Sequence, residues 1–267
     1  MASSSKFKPY IRASEVAALL NLNKWKSSNQ VLIENILPKH PKWGPFIREL
    51  KKANRLETAE EKMQRLLVEK EDLLAAVEVA VQNSVAAKTE SELNAVIEAA
   101  VADSSAILGE RDASELQGAI RGKIQTQRGI KMEATAIREY DARHQVAETT
   151  VTITKTYIET DDYGIVGVID HYDGTRVVEI KNRKTYWRTP PEYDLIQLLV
   201  YMKMYGGCNG VLVEKFSDRA PRETELIWDE RRWEELHTKI VAECRKIETL
   251  TEEQVTKMLL GVVMFGR

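Results

Sequence analysis

Two periods divide this chain. From Leu56 to Asn83, LETAEEKMQRLLVEKEDLLAAVEVAVQN, apolar residues return every three or four positions, which predicts one long amphipathic helix. TESELNAVIEAAVA predicts a second, its start marked by Thr89 and Glu92 at capping-box spacing. From about Ile47 to about Ala106 there is neither Pro nor Gly. The two helices therefore read as an antiparallel pair inserted at about residues 47–111, between an N-terminal part (1–46) and a main part (112–267). Such a pair either packs as a bundle or projects as an arm for a partner. Ser14 is placed to cap a short helix over EVAALLNL, and Asp112 with Glu115 to cap another. A further helix is expected over about Met132 to His144. Beyond Val151 the period drops to two. VTITKTYIE alternates as a half-buried strand does, and YGIVGVIDH and TRVVEIK flank Asp173-Gly174 as strand, turn and strand. Pro190-Pro191 opens a helix that closes at Gly206-Gly207. NGVLVEKF and TELIWD are two more strands. Asp229 caps a helix to about Leu250, and Thr251 with Gln254 caps the last.

The hairpin carries charges that packing does not require. With Asp173 and Gly174 as a two-residue turn, Asp170 opposes Val177 and Val168 opposes Glu179. Asp170, Glu179 and Lys181 then share one face, while Val178 and Ile180 point into a core. Asp170 and Glu179 become diagonal neighbours about 7–8 Å apart. A hard cation such as Mg²⁺ takes oxygen ligands and often only one or two protein carboxylates. A lysine beside it can orient a nucleophile or stabilise charge growing on a phosphate. The same residues alone would equally describe a surface hairpin with an ordinary ion pair. Glu133 shares a helix face with Gly129, Ile137 and Tyr140, so it needs a partner. Gln197 and Tyr201 stack four apart on another helix, with polar ends suited to a phosphate or a base. Arg128, Lys131, Arg183, Lys184 and Arg188 suggest a phosphate track, and Tyr186 and Trp187 lie among them as possible stacking partners for a base. His144 suits a helix end. His171 faces away from Asp170 and is not counted as a ligand.

Composition narrows the classes. A formal net charge of -2 gives no global attraction to nucleic acid, so a polyanion must be held by local patches. Two cysteines, Cys208 and Cys244, exclude a disulfide scaffold and a four-cysteine metal or iron–sulfur site from this chain alone. Neither a signal-peptide core nor a membrane-length apolar run is present. The expectation is a soluble, intracellular protein with no membrane partner.

In order and spacing, these residues resemble the PD-(D/E)XK nuclease superfamily, in the RecB-like branch of lambda-type exonucleases and YqaJ-like viral recombinases. The likeness rests on R-G-x-x-x-E (Arg128, Gly129, Glu133), on Ile169-Asp170, on E-I-K (Glu179, Ile180, Lys181) and on Q-x-x-x-Y (Gln197, Tyr201), across about Gln125 to Phe216. RASEVAALLNLNKWKS is similar to the N-terminal helix and turn of the YqaJ-like group. The resemblance implies an α/β fold with a central mixed β-sheet flanked by helices, restriction-endonuclease-like, with the helical segment as an insertion. It implies Mg²⁺ or Mn²⁺ held by Asp170, Glu179 and the Ile180 carbonyl, with Glu133 a ligand directly or through water. Lys181 would position or activate the attacking water, and Gln197 and Tyr201 would serve the site or touch DNA. Ile169 stands where the family usually has Pro. The implied activity is hydrolysis of DNA phosphodiester bonds, as an exonuclease in recombination, repair or replication. DNA, a recombination or replication protein, and further copies of the chain are the implied partners. The iron–sulfur cluster of some relatives is not expected with two cysteines. The alternative is a non-catalytic nucleic-acid-binding or scaffold protein that keeps the fold.

Overall fold

The computed structural model describes residues 7–146, 154–183, 186–216 and 219–265. The chain is α/β. In order its elements are β1 (Tyr10–Arg12), α1 (Val16–Leu19), α2 (Ser28–Val31), α3 (Trp43–Asn54), α4 (Ala59–Glu69), α5 (Glu71–Ala86), α6 (Glu90–Leu108) and α7 (Glu110–His144). Then come β2 (Thr156–Glu159), β3 (Gly164–Gly167), β4 (His171–Tyr172), β5 (Val177–Arg183), α8 (Glu192–Met204), β6 (Gly210–Phe216), β7 (Arg222–Leu226), α9 (Glu230–Ile247) and α10 (Glu252–Phe265).

The strands form two mixed sheets rather than one central sheet, in the orders β1-β3-β2 and β4-β5-β6-β7. The run YGIVGVIDH, expected as one strand, is split between them. Glycine within a strand often marks a close approach or a bend. Here a Cβ on Gly167 would lie 2.5 Å from the Tyr201 ring and 2.9 Å from Ala13 Cβ. The chain leaves the first sheet just after this contact and enters the second at His171.

Strand β5 pairs with β4 antiparallel and with β6 in parallel, and β6 pairs with β7 antiparallel. Its side chains alternate between two cores. Val178 and Ile180, with Val211 and Val213 of β6, pack on Ala136 and Tyr140 of α7. Val177 and Leu212 face the larger core, shared with Ile165, α8, α9 and α10.

The helical segment has a core of its own. Leu66, Leu73, Val77, Leu93, Ile97, Leu116, Ile120 and Ile124 join α4, α5, α6 and the first half of α7 in a four-helix bundle. Each fully enclosed Leu or Ile contributes about 1.5–3 kcal/mol of burial. The long helix expected from Leu56 to Asn83 is broken at Lys70, whose backbone is extended. The turn lets Leu66 on one side and Leu73 and Val77 on the other reach the same core, and with no Pro or Gly it leaves no local mark. Asp112 caps nothing. α7 begins at Glu110 after Gly109 (φ 84°), and Asp112 lies 3.1 Å from Lys62 on α4. α7 then runs unbroken for 35 residues, so the helix expected at Met132–His144 is its final stretch. Ser14 also caps nothing: it lies in a 3-10 turn, Ala13–Glu15, which has no side-chain cap.

Thr89 and Glu92 form their capping box, Asp229 caps α9, and Thr251 and Gln254 bond reciprocally before α10. α8 lies between Pro191 and Gly206 as expected. Of the strand expected over VTITKTYIE, Val151, Thr152 and Ile153 lie outside the described residues and β2 holds the end. Among the described residues no helix is long and apolar enough to cross a membrane.

Candidate active site

The hairpin sets the geometry. Asp173 N donates to Arg176 O at 3.1 Å, so the two central residues of the turn are Gly174 and Thr175. Asp173 is not one of them, because its Oδ1 accepts from Thr175 N at 3.0 Å and from Arg176 N at 2.7 Å. An aspartate that bonds the backbone two residues on sets the turn after itself. Gly174 has φ 94°, a left-handed conformation that glycine adopts freely. His171 consequently pairs with Val178 and Tyr172 with Val177, two positions from the expected register. A one-residue slip would reverse the faces; a two-residue slip keeps them. β4 begins at His171, so Asp170 stands just before the ladder rather than diagonal to Glu179 within it. His171 turns to the α7 side, 2.8 Å from Asp141, and His144 ends α7 with Glu223 2.8 Å away.

Glu179 is almost fully buried, at 1% exposure. Its Oε1 lies 2.6 Å from Lys181 Nζ, and its Oε2 is buried with no hydrogen-bond partner. Asp170 Oδ2 accepts the Ile180 N–H at 2.7 Å. Lys181 Nζ also donates to Gln197 Oε1 at 3.1 Å and lies 3.9 Å from Asp194 Oδ1. Gln197 Nε2 reaches the Tyr201 hydroxyl at 3.3 Å. One face of β5 is thus linked to one face of α8.

Enclosure shifts these groups. Burial pushes the Glu179 carboxyl up to about 8, with Asp170 adding to the rise and Lys181 opposing it. Burial likewise pushes Asp170 up to about 6 against the pull of Lys181. Glu133 is raised by burial and by the charge of Glu179, so the two carboxylates sense each other across the site. Burial alone would lower Lys181, but Glu179, Asp170 and Asp194 together hold it above its usual value. Burial raises the Tyr201 phenol, with Glu179 adding to it. Two carboxylates enclosed at raised values, one with an orphaned oxygen, suit a divalent cation of the oxygen-binding kind. Among the described residues no group of three or more His, Cys, Asp or Glu forms a metal-holding cluster. The carboxylates at hand are Asp170 and Glu179, with Glu133 close enough to feel the charge of Glu179.

The basic residues take different positions. Arg128 donates to Ser84 O at 2.7 Å and Ala87 O at 3.4 Å, tying α7 to the end of α5. Arg183 is drawn inward, bonded to Asp194 and, at 3.1 Å, to Glu214. Lys131 and Arg188 are exposed, and Lys184 lies outside the described residues. Trp187 is half-buried with Arg183 against its ring.

Sequence reasoning did not find Asp194, Glu214 or Arg222. Glu214 is fully buried and bonded by Arg183 and by Arg222, whose Nε lies at 2.7 Å. Two signals were present: Asp194 stands three positions before Gln197 on the same helix face, and Glu214 interrupts the apolar run GVLVEKF.

No protein-family profile matches the chain, and no curated protein matches it. Among solved structures, a protein described only as SSO0001 aligns over 59% of this chain and 70% of its own, at 18% identity and a TM-score of 0.34. That likeness is too distant to carry an argument about fold or function.

Proposed function

We propose that this chain is a divalent-metal-dependent nuclease of restriction-endonuclease-like fold that hydrolyses DNA phosphodiester bonds, as an exonuclease in recombination, repair or replication. The observation that carries the reading is the Glu179 carboxylate: enclosed, with one oxygen on Lys181 and the other without a partner. A buried acceptor left unpaired costs about 1–3 kcal/mol, more when charged, and a bound cation removes that cost.

Asp170, Glu179 and the Ile180 carbonyl would hold Mg²⁺ or Mn²⁺, with Glu133 completing the shell directly or through water. When bound, such an ion polarises a phosphoryl oxygen and makes water a better nucleophile. Lys181 has a raised pKa and three oxygen neighbours, so it stays an ammonium. It acts as a fixed positive charge that orients water and stabilises charge developing on phosphate, not as a base. Gln197 holds Lys181 in place and Tyr201 holds Gln197. The Tyr201 phenol stays protonated and available as a donor. DNA is the partner this chemistry serves, alongside a recombination or replication protein or further copies of the chain.

The test is cleavage of end-labelled DNA with and without Mg²⁺ or Mn²⁺. Asp170→Asn, Glu179→Gln and Lys181→Ala are each expected to lower the rate roughly a hundred- to thousandfold while the fold persists. Cleavage that survives these changes, or that needs no metal, would overturn the reading. The second reading is a non-catalytic nucleic-acid-binding protein with this fold, favoured by the absence of a three-group metal cluster among the described residues. It predicts binding without cleavage under either metal.

A further inference from the structure

We propose that a slot beside the carboxylate site, between Trp25 and Trp187, binds one unpaired nucleobase of the strand being cut. The proposal rests on the nuclease reading and adds the state of the strand that the site accepts.

The slot lies at the end of the strand that carries the candidate catalytic residues. Asn182 and Arg183 follow Lys181 directly on β5 and line a cavity of about 390 Å³ together with Trp25, Trp187, Tyr193 and Gln125. A strand advances about 3.3 Å per residue, so the cavity begins within a nucleotide's reach of Lys181. Its volume is that of sites that take one small molecule.

Both tryptophans are set on braced backbone. Trp25 is 69% exposed, yet its turn is fixed on each side. Trp25 N donates to Asn23 Oδ1 at 2.8 Å, Lys26 pairs at 2.9 Å with both Glu15 and Glu34, and Ser27 forms a capping box with Gln30. Trp187 is held by Arg222, which donates to Trp187 O at 2.6 Å and to Arg188 O at 3.1 Å while Glu214 fixes its guanidinium. Lys24 Nζ lies 4.7 Å from the Trp25 ring centre and 5.1 Å from that of Trp187. One flexible cation thus touches both aromatic faces, and it can move aside for a base.

The polar groups favour a base over a phosphate. Arg183 is taken up by Asp194 and Glu214, and Arg128 spends two of its donors on Ser84 O and Ala87 O. Beside Lys24, the slot offers an acceptor: Asn182 Oδ1 is buried without a hydrogen-bond partner. Each base carries an N–H donor on its pairing edge, and that edge is free only in a single strand. Aromatic stacking with edge recognition is how unpaired bases are held. On the other side, Arg128 pins the end of α5, and Ala87, Lys88 and Thr89 wall an adjoining cavity of about 490 Å³ that shares Asn182 and Arg183. The end of the bundle thereby walls one side of the slot.

The test is binding of a labelled mixed-sequence oligodeoxynucleotide in EDTA, as single strand, as blunt duplex, and as single strand with abasic positions. The single strand is expected to bind at least about tenfold tighter than the other two. Trp25→Ala and Trp187→Ala should each weaken single-strand binding roughly tenfold and leave duplex binding unchanged. Trp25 is on an exposed turn, so its removal tests the slot even if Trp187→Ala misfolds. Equal affinity for single strand and duplex, or an unaltered affinity of Trp25→Ala, would overturn the slot. Cleavage with Mg²⁺ separates the two readings. Metal-dependent cleavage with tryptophan-independent binding refutes the slot alone. Tryptophan-dependent single-strand binding without cleavage supports the slot and refutes the nuclease.

Discussion

Glu179 is an acid whose charge burial opposes and Lys181, 2.6 Å away, supports. Its carboxyl is raised to about 8 and that of Asp170 to about 6, each by burial first. A carboxyl raised in the folded state contributes stability below its unfolded pKa and loses it as pH climbs through the folded value. In EDTA the melting temperature should therefore fall between about pH 5 and pH 8. Mg²⁺ or Mn²⁺ should restore it more at the alkaline end, where the carboxylates are already ionised; a metal-induced shift that is flat with pH would contradict this. Lys181→Ala should lower stability in EDTA at the alkaline end by about 2 kcal/mol. That is less than a fully enclosed pair would lose, because Lys181 keeps 24% of its side-chain surface. Urea unfolding reads the difference. The common face of Asp170, Glu179 and Lys181 was legible because a strand's period of two survives an even slip. The ion pairs of Asp194, Glu214 and Arg222 were not, because they join residues from α8, β6 and β7 whose meeting is tertiary.

Caps and periods decided which elements could be read. Thr89→Ala should remove the α6 capping box at a cost of about 1 kcal/mol, seen as a lower urea midpoint with an unchanged slope. Gly167→Ala should displace the Tyr201 ring, which stands 2.5 Å from the added Cβ. It is expected to cost about 1–3 kcal/mol as an overpacked contact and to lower cleavage more than it lowers binding. Thr89, Thr251, Asp229 and the proline and glycine pairs around α8 announced their elements because each acts on its own backbone. The break at Lys70 did not, since nothing in its local chemistry forbids a helix; the shared bundle core bends the chain there. YGIVGVIDH was expected as one strand and is split between two sheets just after Gly167, where the chain passes close to Tyr201 of α8, a contact that no strand pattern contains.

One helix, α7, joins two of the molecule's cores. Ile97 and Leu116 belong to the bundle, and Val178 and Val211 to the sheet against α7. Ile97→Ala should cost about 2–5 kcal/mol. Hydrogen exchange should accelerate in α5 and α6 well before the β5 and β6 amides respond; uniform acceleration would show one cooperative unit instead. α7 crosses from one core to the other, with Ile120 and Ile124 in the bundle, Ala136 and Tyr140 on the sheet, and Glu133 between. At 1.5 Å per residue it is a rod of roughly 50 Å. Glu133 is therefore mounted between two anchorages, the bundle toward one end of the rod and the sheet toward the other.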